Sequence, residues 1–155
     1  IRDSGMKHKS VENIKLDITD DKAVKKFYKD LKHVDLLINN AGIGVYTPTL
    51  KRTKKEFLEV MNVNLLGTFL MSQNAIKKMI KKKKGMIVNI ASVYGIKSSD
   101  SGIYGNSGRN NSEVYSITKA GTIMLTKYLA AHFADNNIQV NCISPGAFPN
   151  KTNTF

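Results

Sequence analysis

The order of apolar and polar positions along the chain predicts strands that alternate with helices. Short runs rich in Val, Ile and Leu predict strands, and longer segments with an apolar stripe predict helices. The predicted strands are Ile14 to Asp17, Val34 to Asn39, Gly85 to Ala91 and Gln139 to Ser144. The predicted helices are Asp21 to Lys32, Lys54 to Met61, Val63 to Lys81 and Glu113 to Asn136. This alternation predicts an α/β fold, a doubly wound parallel sheet whose strands are buried on both faces.

The length and composition of the chain predict a single domain over residues 1–155. The chain has 155 residues, of which 41% are hydrophobic, enough for one core. No apolar run approaches the roughly 18 to 20 residues that cross a bilayer, so no membrane partner is expected. The first residues lack the pattern of a secretion signal and resemble a cut end. The single cysteine, Cys142, lies in an apolar run, which favours a buried thiol and a reducing, cytoplasmic location.

The net charge of +12 raises the question of an anionic partner such as nucleic acid. The densest lysine run, Lys77-Lys78 with Lys81 to Lys84, follows an amphipathic segment and precedes Gly85. Cations at that place complement the negative end of a helix. No aromatic residues alternate with these lysines, as a surface for stacking single-stranded bases would require. The run therefore predicts a solvent-exposed face, and no nucleic-acid partner is expected.

Candidate chemistry lies where the predicted strands end, because ligands of open α/β sheets bind at the carboxyl ends of the strands. The residues at these ends are Asp17, Asn39-Asn40-Ala41-Gly42, Ser92 and Pro145-Gly146. On the last predicted helix, Tyr115 and Lys119 stand four positions apart and share one face. The His, Cys, Asp and Glu residues of the sequence do not occur at the spacing of metal ligands, so no metal site is expected.

Five motifs in a fixed order carry a resemblance to the classical short-chain dehydrogenase/reductase family. They are Asn39-Asn40-Ala41-Gly42, Asn62-Val63-Asn64-Leu65-Leu66-Gly67, Ser92 in Ser-x-x-Gly, Tyr115-x-x-x-Lys119 and Ile143-Ser144-Pro145-Gly146. The resemblance runs from about Asn13 to Phe148. It implies a Rossmann-like domain that binds NAD or NADP and interconverts a secondary alcohol and a ketone of a small-molecule substrate. It also implies a homodimer or homotetramer, for which Met71, Met124 and Tyr128 are candidate contact residues.

The resemblance assigns four catalytic residues, whose roles make chemical sense. Tyr115 is the general acid/base: a free phenol has a pKa of about 10, and the Lys119 ammonium one turn away favours its anion. Lys119 also donates hydrogen bonds to the hydroxyls of the nicotinamide ribose. Ser92 donates to the substrate oxygen as charge develops there. Asn64 anchors a water in a proton relay from Lys119 to solvent.

The resemblance also assigns residues that contact the cofactor. Asp17 contacts the adenine beside the backbone of Ile18, although the same carboxylate could instead cap the helix that follows. Asn39 braces neighbouring strands rather than the cofactor. The remaining assignments place Asn40, Ala41 and Gly42 along the adenosine ribose, and Pro145, Gly146 and Phe148 beside the nicotinamide.

The sequence departs from the family in two places. No Gly-x-x-x-Gly-x-Gly, the loop whose amides hold the pyrophosphate, precedes Asp17. The chain also stops just after the segment that leads into the family's substrate lid, so we expect it to be incomplete at both ends. In the family's strand order, Ile14 to Asp17 and Val34 to Asn39 would then run parallel, unpaired, at roughly 14 Å. Tyr115 also follows Ser92 by 23 positions, with a polar, glycine-rich insert from Ser98 to Asn111. A polar insert near the reactive oxygen favours a sugar or sugar derivative as substrate.

Two other functions remain open at this point. One is a nucleotide-sugar epimerase or dehydratase of the family's extended branch, which the long spacing and Val93-Tyr94-Gly95 would suit. The Asn-Asn-Ala-Gly and Ser-Pro-Gly motifs argue against that branch. The other is a truncated nucleotide-binding protein without catalysis, which the missing glycine loop favours.

Overall fold

The computed structural model describes residues 9–100, 102 and 111–146 and shows the α/β fold that the sequence predicts. The strands are β1 (Leu36–Asn39), β2 (Gly85–Ile90) and β3 (Ile138–Ile143). The helices are α1 (Asp21–Asp30), α2 (Lys54–Met61), α3 (Thr68–Lys82) and α4 (Glu113–Phe133). Shorter helical turns cover Thr49–Lys51, Asn62–Gly67, Val93–Gly95 and Ala134–Asn136. None of these helices is both long and apolar enough to span a bilayer.

The three strands form one parallel sheet in the order β1-β2-β3. Leu36 lies opposite Met86, and Gly85 lies opposite Ile138. The crossover helices between parallel strands bring the carboxyl ends of all three strands to one edge of the sheet. The candidate residues after β1, β2 and β3 therefore meet at that edge.

The prediction of a strand over Ile14 to Asp17 is wrong. In the part of the chain that the structure describes, no ladder joins this segment to a strand, and extended backbone without a ladder is not a β-strand. β1 pairs there with β2 alone. The segment accordingly makes no ladder with Leu36–Asn39, as expected, whereas the predicted spacing of the two segments remains a prediction.

The core lies on one face of the sheet. Residues of α1, α3 and α4 pack there against alternate strand residues; the cluster includes Val24, Tyr28, Leu37, Ala75, Ile76, Met79, Ile87, Leu129, Ile138 and Val140. Leu36, Ile38 and Ile143 point to the other face and are 51%, 56% and 53% exposed. The expectation of strands buried on both faces is therefore wrong for the described residues, because all three long helices cover the same face.

The ends of the helices follow local side-chain chemistry. α1 begins at the N-cap Asp20, whose carboxylate accepts hydrogen bonds from the main-chain N–H groups of Lys22 and Ala23. α3 ends where Lys83 adopts a left-handed conformation with φ of 49°, so a lysine rather than a glycine terminates it. Of the predicted solvated lysines, Lys77 and Lys81 to Lys84 are exposed, whereas Lys78 is half-buried and its Nζ donates to the main-chain oxygen of Leu31 at 2.7 Å.

The predicted helix from Val63 to Lys81 begins with a π-helical segment. Asn62–Gly67 has the wider π spacing, and regular α-helix begins at Thr68. Such segments disturb the regular hydrogen-bond ladder and often lie at functional sites. The segment buries Asn64, which is 2% exposed, and directs its amide toward the loop after β1.

Candidate active site

Helix α4 presents Tyr115 and Lys119 on one face, as predicted. Ser112 caps the helix, and its Oγ accepts a hydrogen bond of 3.3 Å from the main-chain N–H of Tyr115. One turn later, Lys119 Nζ lies 5.5 Å from the centre of the Tyr115 ring. A cation and a phenol therefore share the first two turns of the helix.

Lys119 is a buried cation with unused donors. The residue is 6% exposed, and Nζ donates one hydrogen bond of 2.7 Å to the main-chain oxygen of Ile90. Burial lowers the pKa of the Lys119 ammonium, while the neighbouring Cys142 acts weakly in the opposite direction. An ammonium carries three donors, so two N–H groups remain for a ligand. This capacity fits a ribose diol at the end of β2.

Ser92 lies two positions beyond the end of β2, and its hydroxyl is available as a donor. Its Oγ accepts a hydrogen bond of 3.2 Å from the main-chain N–H of Tyr94, so the hydroxyl proton can point toward the cleft. The turn that follows is packed tightly on α4: a Cβ added at Gly95 would lie 2.7 Å from the carbonyl carbon of Lys119. The turn that holds Ser92 is therefore fixed directly against the helix of Tyr115 and Lys119.

Asn64 connects the π-helical segment to the loop after β1. Its Oδ1 accepts from Ile43 N at 2.8 Å, and its Nδ2 donates to Ile43 O at 2.9 Å and to Thr118 Oγ1 at 3.2 Å. The neighbouring Gly42 lies against both side chains, since a Cβ there would make ordinary van der Waals contact with Asn64 Oδ1 at 3.5 Å and with Lys119 Nζ at 3.6 Å. Asn64 thus holds this loop beside Lys119, and its role in a water relay remains a prediction.

A cleft of about 450 Å³ collects most of the predicted site residues. The predicted residues that line it are Asn40, Gly42, Ser92, Tyr115, Lys119, Pro145 and Gly146. The lining also includes Gly44, Tyr46, Tyr94 and Asn111, of which Gly44 lies next to the rings of Tyr46 and Tyr115. Four segments that are distant in sequence thus line one continuous cleft at the carboxyl edge of the sheet.

Other predicted cofactor residues lie outside this cleft. Ala41 is exposed and does not line it. Ile18 packs on the π-helical segment, where a Cβ at Gly67 would come within 2.6 Å of its Cδ1. Phe148 lies outside the described residues.

Asp17 lines a separate cleft of about 660 Å³ with Thr19 and residues of α2. Its Oδ1 accepts hydrogen bonds from Thr19 N at 2.9 Å and Thr19 Oγ1 at 2.8 Å, which lower the pKa of Asp17. The alternative role as a helix cap belongs to Asp20 instead. The Asp17 carboxylate is therefore ionised at neutral pH and not used by the helix, and its contact with adenine remains a prediction.

Asn39 braces the sheet, as expected. Its Nδ2 donates to Asn89 Oδ1 of β2 at 2.8 Å and to Ser72 Oγ of α3 at 2.9 Å. Asn89 in turn donates to Thr126 Oγ1 of α4 at 2.9 Å. This buried network joins both strands to both long helices directly behind the cleft.

Sequence reasoning missed an ion pair between a buried arginine and a partly exposed glutamate at the edge of the site. Arg52 Nε donates to Glu113 Oε1 at 3.1 Å across 61 positions of sequence. Neither residue belongs to a motif, so nothing in the sequence marked the pair. Among the described residues, no group of three or more His, Cys, Asp or Glu is placed to hold a metal ion.

Comparison with known families identifies the fold and the motifs together. The sequence model described as short chain dehydrogenase matches residues 2–154. The chain belongs to the short-chain dehydrogenase family. The cofactor of this family of oxidoreductases is NAD or NADP, and similar solved structures hold one or the other. The chain thus has the fold of a family that uses a nicotinamide cofactor. This fold carries the helix of Tyr115 and Lys119, the Ser92 turn and the loop after β1.

Individual relatives carry names that refer to different substrates. The chain is 42% identical over 143 residues to the 3-oxoacyl-[acyl-carrier-protein] reductase FabG of Aquifex aeolicus, covering 92% of this chain and 54% of that protein. It is 37% identical to the 2-dehydro-3-deoxy-D-gluconate 5-dehydrogenase of Formosa agariphila, covering 81% of this chain and 44% of that enzyme. A Leptospira borgpetersenii short chain dehydrogenase with bound NAD⁺ superposes with a TM-score of 0.82 and 45% identity, covering 93% of this chain and 60% of that one. The chain therefore spans about half the length of the curated relatives it matches.

Proposed function

We propose that the complete protein interconverts a secondary alcohol and a ketone, with NAD or NADP as hydride carrier. The observation that carries this proposal is a single cleft in which Ser92, Tyr115 and Lys119 meet. In the described part of the chain, Ser92 Oγ accepts one hydrogen bond and Lys119 Nζ donates one, which leaves a hydroxyl proton and two ammonium N–H groups beside the Tyr115 phenol. These are the donors that an alcohol or ketone oxygen and a ribose diol need.

The residues of the cleft divide the chemistry between them. In the oxidative direction Tyr115 would take the hydroxyl proton of the alcohol, whose C–H hydride a bound nicotinamide would accept. Ser92 donates to the same oxygen and stabilises the negative charge that develops on it. Lys119 would donate hydrogen bonds to the ribose hydroxyls, and its Nζ lies 5.5 Å from the centre of the Tyr115 ring. Bound nicotinamide supplies the hydride acceptor or donor, and Asn64 supports the proton path to solvent.

Cofactor binding by the remaining predicted residues is part of the same proposal. Asp17 and the Ile18 backbone would hold the adenine, while the loop after β1 would run along the adenosine ribose through Asn40, Ala41 and Gly42. Pro145, Gly146 and Phe148 would border the nicotinamide. The described chain offers hydrogen-bond donors for the ribose at Lys119, which supports the nicotinamide half of this arrangement.

A sugar or sugar derivative is the substrate class that we infer. Two tyrosine rings, Tyr46 and Tyr94, and the Asn111 amide stand at the cleft with Tyr115. Rings that flank polar groups suit the apolar faces and hydroxyls of a carbohydrate. The name of the Formosa agariphila relative, a dehydrogenase of a sugar acid, supports this class, whereas the Aquifex aeolicus relative is named for a 3-oxoacyl thioester.

The test is turnover by the complete protein, followed through the absorbance of the reduced nicotinamide. Sugar acids, polyols, a 3-oxoacyl thioester and a nucleotide sugar are compared, each with NAD and NADP. We expect Tyr115→Phe to lower kcat by about 10² to 10⁴-fold and to leave the cofactor Kd nearly unchanged, because only the proton-transfer group is lost. Undiminished turnover in Tyr115→Phe would contradict the site. Cofactor binding without any turnover would favour a non-catalytic nucleotide-binding protein, and epimerisation of the nucleotide sugar would favour the extended branch.

We also infer a homodimer or homotetramer joined through the helical face. Met124 and Tyr128 of α4 are more than half exposed, whereas Met71, the third candidate, packs against the core instead. An adjacent apolar groove is lined by Phe57, Leu58, Met61, Asn62, Leu65, Leu66, Phe69 and Leu125. Apolar side chains of this size are seldom left open together in a monomer. Light scattering of the complete protein tests this oligomeric state, and Met124→Glu should shift the protein toward the monomer.

A cytoplasmic location is also part of the proposal, and it rests on the single cysteine.

A further inference from the structure

Arg52 is a buried cation that lies beside the cleft but does not line it. It directly follows the turn Thr49–Lys51, and its side chain is only 4% exposed. Nε donates to Glu113 Oε1 at 3.1 Å, and Nη2 donates to the main-chain oxygen of Thr47. Arginine is rarely buried unless it is paired, so these two contacts account for its presence inside the protein.

The two contacts of Arg52 belong to two chain segments that each contribute a tyrosine to the cleft. Glu113 is the first residue of α4 and precedes the acid/base Tyr115 by two positions; its Oε2 also accepts from Thr49 Oγ1 at 2.9 Å. Thr47 directly follows Tyr46, which lines the cleft. One guanidinium therefore joins the segment of Tyr46 to the helix of Tyr115.

The ion pair is held in its charged form. Burial alone would raise the pKa of the Glu113 carboxyl, but hydrogen bonds from Arg52, from its own main-chain N–H and from Thr49 lower the pKa overall. The carboxylate is thus ionised at neutral pH, and the connection between the two segments persists through the range in which the proposed reaction would run.

Stability alone is a poor explanation for this arginine. Nη1 is buried, and no hydrogen-bond partner for it occurs among the described residues. A buried ion pair seldom stabilises a fold more than apolar residues of the same size, and an unsatisfied buried donor makes it worse. The feature that arginine provides and an apolar residue lacks is a rigid fork able to bond two partners at once.

We propose that Arg52 is a positioning residue that sets the distance between the cleft segment at Tyr46 and the acid/base Tyr115, acting through Glu113. The inference rests on the proposed alcohol and ketone chemistry. Arg52 touches neither residue directly, so its effect is on alignment. Misplacement of reacting groups by about 1 Å lowers rates by about 10²-fold even when no reacting group is altered.

The experiment compares Arg52→Met, Arg52→Lys and Glu113→Gln in the complete protein, with the best substrate of the panel above. Arg52→Met should lower kcat/KM by about 10 to 10²-fold, mostly in kcat, with the cofactor Kd unchanged. Arg52→Lys should fall between it and the wild type, because a single ammonium can hold Glu113 or Thr47 but not both well. Lys51→Met, an exposed cation one position away, is the matched control and should match the wild type.

The outcomes distinguish failure of the positioning role of Arg52 from failure of the proposed reaction. If Tyr115→Phe is inactive while Arg52→Met equals Lys51→Met, the positioning role is overturned and the reaction stands. A cofactor affinity that falls in the same proportion as kcat/KM would show a merely structural role and also overturn it. Full turnover in Tyr115→Phe would remove the proposed function and the inference together. Should Arg52→Met not fold, Arg52→Lys and Glu113→Gln decide the question by the same split between kcat and cofactor Kd.

Discussion

Gly95→Ala tests whether the Ser92 turn must touch the backbone of α4. The added Cβ would lie 2.7 Å from Lys119 C and 2.9 Å from both Lys119 O and Ala120 N. Carbon atoms in contact are normally about 3.5 to 4.0 Å apart, so the turn and the helix must separate by about 0.8 Å or more. The obstructing atoms are backbone, and no change of rotamer can remove them. Ser92 must therefore move away from Tyr115.

The expected magnitudes follow from this displacement. Overpacking of this kind destabilises a fold by about 1 to 3 kcal/mol. A misplacement of this size lowers kcat/KM by about 10²-fold. Urea unfolding and steady-state kinetics on the same preparation measure both effects, and activity is compared only under conditions where the variant is folded.

Gly121→Ala is the matched control on the same helix. The atoms nearest to its added Cβ are the two methyl groups of Leu65 at 3.1 Å, and a side chain can move where a backbone cannot. We expect its kcat/KM to stay within about threefold of the wild type, less than 1 kcal/mol in transition-state free energy. If Gly95→Ala also stays within that range, the contact does not align Ser92, and the reasoning fails.

Two further predictions concern single side chains. Lys119→Met should abolish turnover and weaken cofactor binding, measured by kinetics and nicotinamide fluorescence; loss of only one would show a misassigned role. Burial lowers the pKa of Lys119 below 10.5, so its ammonium destabilises the fold below that lowered pKa. The wild type should therefore gain stability relative to Lys119→Met as pH rises toward 10.5. For Glu56, hydrogen bonds from Thr47 and Thr53 lower the pKa from 4.5 to about 2. The stability advantage of wild type over Glu56→Gln should be complete above pH 4.5 and disappear as pH falls to about 2; an advantage constant across this range in urea titrations would contradict the assignment.

Periodicity predicted the helices and three of the strands because each depends on burial of a local pattern. α2 was predicted at its observed limits, and β1, β2 and β3 to within two residues. The strand over Ile14 to Asp17 was predicted from the same kind of apolar run and is absent, because a strand needs a partner that the run itself does not specify. The π-helical segment was also missed, since a change in hydrogen-bond spacing leaves the apolar pattern of Asn62–Gly67 almost unaltered.

The candidate site was predicted as far as its motifs reach. Ser92, Tyr115 and Lys119 line one cleft, as their positions at strand ends and on one helix face implied. Arg52 and Glu113 were not found, because an ion pair across 61 positions leaves no trace in either local sequence.

A tyrosine and a lysine four positions apart occur often by chance, and what makes this pair a site is its surroundings. The turn of Ser92 reaches the helix only because Gly95 lets backbone meet backbone, and the β1 loop reaches Lys119 only because Asn64 bonds both groups of the Ile43 peptide. Neither contact involves a group that reacts. The chemistry of the cleft is thus specified by its motif residues, whereas its geometry is specified by residues such as Gly95 and Arg52 that lie outside it. Substitutions of residues that specify the geometry, such as Gly95 and Arg52, should lower kcat and leave the cofactor Kd unchanged. This distinguishes them from Lys119→Met.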